Sequence, residues 1–128
     1  MILRPEQIDA LSAESRASFE ERMVAHLQRC FPKHCEALGE AGVRDTIRYG
    51  IKRSAKYGIV SERSVCNYTD LMFILGKDFD TNSDMPWAGE ILKSKELGPD
   101  VKVYRLMMTT QEQIKRLAIQ NKLKGGRS

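Results

Sequence analysis

Residues that commonly carry chemistry are scarce in this chain of 128 residues, which has two histidines, three cysteines and one tryptophan. Three cysteines, Cys30, Cys35 and Cys66, cannot pair into a disulfide framework and read as reduced thiols. With only His26 and His34 to relay protons, and with no G-x-S-x-G, Walker-type or H-E-x-x-H pattern, no nucleophile, base and orienter can be nominated, and an enzyme is not expected. Long apolar runs are also missing. No window approaches the roughly 18 apolar residues that a membrane helix needs. Near the N-terminus, Arg4, Glu6, Asp9 and Glu14 stand where a secretory leader would be apolar, so the chain is expected to be cytoplasmic and unattached to membranes.

The residues present are those of a folded domain. A hydrophobic fraction of 41% with 30% charged residues is too apolar for a disordered chain, and the length suits a single domain, 1–128. Lysine and arginine outnumber aspartate and glutamate by 21 to 17, for a net charge of +4. That excess divides evenly between residues 1–60 and 61–128, whereas a nucleic-acid module concentrates its cations to neutralise several phosphates together. Only the end is one-signed: after Glu112 come Lys115, Arg116, Lys122, Lys124 and Arg127. The C-terminal dipole of a helix explains that bias.

Periodicity and punctuation predict an all-α, single-domain bundle of five to seven helices. A short N-terminal helix is expected within residues 1–14, over about 5–12. The next, about 16–30, is capped by Ser15 and turns Phe19, Met23, Leu27 and Cys30 to one face, with Cys30 and Cys66 read as small buried hydrophobes. Phe31-Pro32 breaks it. A short helix then ends at Gly39, and another over about 40–57 carries Val43, Ile47, Ile51 and Ala55. Gly58 closes that helix and Ser61 caps the one after it, about 62–75, which is apolar nearly all round and therefore central. A shorter helix opens at Pro86. The last starts near Pro99, with Val101, Tyr104, Met108, Ile114 and Leu117 expected inward and a possible kink at Thr109-Thr110. Residues 119–128 form a basic tail expected to fray.

Three constellations invite a chemical reading. The loop over 78–84 opens as D-x-D-x-N, like a calcium loop. It has Ser83 where glycine is needed for the turn and Gly89 where the bidentate glutamate belongs, so its carboxylates are expected to cap backbone N–H groups. His26, Cys30 and His34 recur every four residues, but Pro32 interrupts the helix between them, and neither a metal site nor any other cofactor is expected. Arg44, Arg48, Lys52 and Lys56 form a basic row beside the Val43/Ile47/Ile51 seam. Such a row either grips an acidic partner or lays its stems over the core edge. Trp87 is either a plug beneath the loop or an interface anchor.

Three segments, FEERMVAHLQRCFP (19–32), YGIVSERSVCNYTDLMFILGKDFD (57–80) and MPWAGEIL (85–92), together resemble a family of small bacterial proteins encoded in type VI secretion effector clusters. The neighbours of that family are VgrG or PAAR spike proteins, toxic effectors and effector chaperones. The resemblance implies a non-enzymatic, protein-binding adaptor or co-chaperone for an effector. Its partner would be the effector, its chaperone or a spike protein, bound through a surface of Arg44, Arg48, Lys52, Phe79 and Trp87. The alternatives are an immunity protein that neutralises a neighbouring toxin and a helical nucleic-acid binder. The second of these lacks aromatic residues interleaved with its basic row.

Overall fold

The computed structural model describes residues 13–125, with side chains over 15–122. Among the described residues there are five α-helices and no strand: α1 Ala13–Cys30, α2 Pro32–Ala55, α3 Glu62–Leu75, α4 Pro86–Lys93 and α5 Pro99–Gly125, with a 3₁₀ turn at Phe79–Thr81 before α4. The all-α bundle is as expected. The predicted helix over 5–12 lies outside the described residues.

The punctuation residues act where the sequence places them. Phe31 leaves helical geometry (φ −134°) because Pro32 follows, and Pro32 opens α2 at a position whose N–H would be unpaired in any case. Gly39 takes φ 74° and ψ 166°, splitting α2 into two straight pieces. At its far end, Gly58 (φ 79°) donates its N–H to Ala55 O while Ile59 donates to Ser54 O. This pair of bonds is the Schellman closure that only a left-handed residue permits. Ser61 Oγ accepts the Ser64 N–H at 3.2 Å and caps α3. Ser15 does not cap α1, which is already helical at Ala13.

Helix α3 is the shared wall of two apolar clusters. Its Val65, Tyr68, Leu71 and Met72 join Ile59, Phe79, Ala88, Leu92, Val103 and Leu106. Its Phe73 closes the second cluster with Met23, Val24, Leu27, Cys35, Val43 and Ile47. Helices α2 and α3 approach closely at Gly50. A methyl group there would sit 2.9 Å from Thr69 Oγ1 and 3.1 Å from Met72 Sδ. Thr69 cannot give way, since its hydroxyl is already bonded to Val65 O at 2.8 Å. Gly50→Ala is therefore expected to destabilise the fold in urea titration. Overpacking costs about 1–3 kcal/mol, which exceeds the roughly 1 kcal/mol by which alanine outranks glycine as a helix former.

The last helix packs by a different face from the expected one. Val103, Leu106 and Thr110 are buried with Lys102, whereas Val101, Tyr104 and Met108 are about half exposed. The two stripes are offset by two residues, about 200° around a helix, so they face nearly opposite ways. Both have the i, i+3, i+7 spacing of a core stripe. The helix runs through Thr109-Thr110 as one piece and carries residues 119–125, expected in a fraying tail, in regular helix.

Candidate functional site

Three places gather polar or exposed groups, and they do not coincide with the predicted surface. Phe79, expected at a partner edge, is completely buried and lies 5.1 Å from the Tyr68 ring centre. The 3₁₀ turn drives it inward, so it belongs to the core and not to any accessible surface. Trp87 is half-buried against the same cluster. The two arginines of the basic row are engaged within the molecule. Arg44 meets Glu20, Glu21 and Glu40 at 3.4, 2.7 and 3.2 Å, and Arg48 meets Glu20 at 2.8 Å. These cations tie α2 to α1; Lys52 remains exposed on the same row.

The loop after α3 does not use its carboxylates as helix caps. Tyr49 donates its hydroxyl to Asp78. The Asp80 side chain is fully buried; its Oδ2 accepts Arg53 Nε–H at 2.7 Å and the Tyr57 hydroxyl at 2.6 Å. Burial and the adjacent Asp80 push the Tyr57 phenol up to about 12. Asp80 Oδ1 and the Tyr68 hydroxyl are buried without a hydrogen-bond partner among the described residues. Among the side chains of this loop, it is the Asn82 amide and not a carboxylate that serves a backbone N–H, Oδ1 accepting from Asp84 at 2.8 Å. Arg53, Tyr57 and Asp80 thus form an internal tie from the loop to α2.

A second cluster spans α1 and α3. His26 Nε2 lies 2.8 and 3.0 Å from the two oxygens of Asp70. A carboxylate only accepts, so Nε2–H is the donor of this contact. Cys30, expected to be buried, is exposed because it ends α1 beyond the cover of its neighbours, and its Sγ lies 3.9 Å from Nδ1 and 4.0 Å from Nε2. A sulfur equidistant from both nitrogens is off the axis of either lone pair and makes no aligned S–H···N bond. Cys66 stands half-buried beside them, its thiol pushed up to about 11 by burial, then by Asp70 and Cys30. Burial likewise raises Asp70, against the lowering effect of His26. His34, the third member of the expected row, is exposed and stacks edge-on to Phe31 and Phe73.

The third feature is the uncovered surface of α5. Ile114 and Leu117, 49% and 58% exposed, continue the buried Val103/Leu106/Thr110 stripe at steps of four and three. The core-facing stripe therefore runs past the last residue that the body covers. Ile119 extends the opposite stripe of Val101, Tyr104 and Met108 in the same way. Between the starts of α3 and α5 lies an open groove of about 560 Å³, where Arg63 and Asn67 face Tyr104, Met107 and Met108. No helix of the described residues is long and apolar enough to cross a membrane, so these exposed residues are not a bilayer span. Comparisons with protein-family models, curated proteins and solved structures find no match to the chain.

Proposed function

We propose that this chain is a non-enzymatic, protein-binding adaptor or co-chaperone that presents the outer half of α5 to its partner. The observation that carries this reading is the apolar stripe that leaves the body: Val103 and Leu106 are buried, whereas Ile114 and Leu117 on the same face are about half exposed. An apolar stripe at helical spacing is what a groove-binding helix offers. Contiguous exposed apolar residues of this kind mark interaction sites more often than they occur by chance. The flanking charge gives the partner its chemistry. Lys115, Arg116 and Lys122 border the stripe, with Glu112 the only acid near it, so the groove that receives it is apolar with an acidic rim. A second copy of this helix would bring like charges together and fits less well. The resemblance of residues 19–32, 57–80 and 85–92 to proteins of type VI secretion effector clusters supplies the setting, in which the partner is an effector, an effector chaperone or a spike protein.

The test is purification of the tagged chain from its own cells, beside an Ile114→Glu, Leu117→Glu variant. The parent chain is expected to retain one of these proteins in stoichiometric amount. The variant is expected to bind it at least about tenfold more weakly, since a buried apolar anchor contributes about 1.4 kcal/mol or more. Its melting temperature should match the parent's, because both residues are exposed. A partner held equally by both chains, or a parent recovered alone, overturns the reading. Recovery of a toxin alone, with rescue of cells that express it, replaces the adaptor with an immunity protein.

A further inference from the structure

We propose that His26, Cys30, Cys66 and Asp70 form a binding site for one zinc ion, which clamps the end of α1 to α3. The ligand set comes from two i, i+4 pairs. His26 and Cys30 lie one turn apart on α1, and Cys66 and Asp70 lie one turn apart on α3. That spacing puts both members of a pair on the same face of their helix, and here the two faces meet. A nitrogen of His26, the sulfur of Cys66 and an oxygen of Asp70 all lie within 4.8 Å of one another. Cys30 Sγ stands 3.9 Å from His26 Nδ1, outside that group of three but beside it, and supplies the fourth ligand of the proposed site.

The donor set selects the metal. Two sulfurs, an imidazole nitrogen and a carboxylate oxygen suit a borderline-soft cation that accepts tetrahedral N/S/O coordination, and calcium and magnesium, which require several oxygens, do not fit. Bond lengths to zinc of about 2.0–2.3 Å imply separations between ligand atoms of roughly 3.3–3.8 Å. The atoms of His26, Cys66 and Asp70, all within 4.8 Å of one another, come to these separations by shifts of about 1 Å. All four positions are taken by protein atoms, which is the closed arrangement of a structural zinc and not the open one of a catalytic zinc. Exposed Cys30 leaves an entry path from solvent. A cluster that combines sulfur, nitrogen and one carboxylate also differs from a surface group of acids, and each cysteine that ligates the metal releases its thiol proton to solvent as it binds.

The experiment is a titration of the metal-stripped, full-length chain with Co²⁺ under reducing conditions, followed by displacement with Zn²⁺. Saturation is expected at one Co²⁺ per chain, with thiolate-to-cobalt charge-transfer absorption and the intense visible bands of tetrahedral cobalt. Equimolar Zn²⁺ should abolish both signals and raise the melting temperature. Cys66→Ser and Asp70→Asn should weaken binding by about tenfold to a hundredfold or more, the range seen even for outer-shell partners of a metal, and Cys30→Ser should reduce the charge-transfer intensity. His34→Asn, outside the cluster, should bind like the parent. Absence of a charge-transfer band in the parent chain, saturation only at large metal excess, or an unchanged affinity in the folded Asp70→Asn variant overturns the site. The parent titration is decisive even if a cysteine variant fails to fold.

Discussion

Phe79→Ala is expected to lower the melting temperature by about 10–20 °C, corresponding to about 3–5 kcal/mol for removing a fully buried phenylalanine. The ring is fully buried in the cluster of Tyr68, Leu71, Met72, Ala88 and Leu92, deeper than Met85, the other apolar side chain of the loop between α3 and α4 that packs there. A domain of this size has a total stability of only about 5–15 kcal/mol. Truncating Phe79 therefore removes a large share of it and leaves a cavity where α3, α4 and α5 meet. Differential scanning calorimetry checks this. A melting temperature within about 2 °C of the parent's, together with weakened partner binding, would return Phe79 to the surface role that the sequence suggests.

The residue beside it should be nearly as costly to lose. Asp80→Ala is expected to destabilise the chain by about 3–5 kcal/mol, because it leaves the partly buried Arg53 guanidinium and the Tyr57 hydroxyl without their acceptor. The loss comes mainly from the unpaired charge and not from the intrinsic strength of the ion pair. A second chain separates these two causes. Arg53→Met combined with Asp80→Leu removes both charges and fills the space with apolar atoms, and it should lose much less than Asp80→Ala in urea unfolding. A double variant as unstable as the single one would mean that the turn, not the charge, sets the effect. Neighbouring positions 79 and 80 thus hold the loop by independent means, one apolar and one ionic, which argues that its conformation is a single fixed one.

Residues that act on their own backbone were legible from the sequence. Pro32, Gly39, Gly58, Ser61, Pro86 and Pro99 each begin, break or end a helix through their own dihedral preference or side chain, and no distant neighbour is needed to predict it. What failed were features decided by a partner far along the chain. The two apolar stripes of α5 are equally regular, and only the position of α3 selects Val103 and Leu106 over Tyr104 and Met108. Asp80 sits in a loop of polar composition, and nothing near it announces that Arg53, 27 residues earlier, will draw it inside. The row His26, Cys30, His34 is interrupted at Pro32, and spacing within α1 alone says nothing of what another helix brings beside it. Its true companions, Cys66 and Asp70, lie some 40 residues away on α3. The signal that could have found them is the second i, i+4 pair, C-x-x-x-D, read together with the first.

The length of α5 has a consequence for how its exposed half meets a partner. An isolated segment like 111–125 would be marginal as a helix, because the first helical turn fixes several residues for one hydrogen bond and a piece no longer than about 15 residues barely recovers that loss. Here the nucleus already exists, since the turns through Val103, Leu106 and Thr110 are docked on α3 and α4. Each residue beyond Thr110 only propagates the helix, adding one bond for one residue ordered. The outer half therefore extends about 22 Å past the last buried side chain as a rod formed in advance. A partner that closes on it does not have to fold it, and the binding free energy goes into contact instead of ordering.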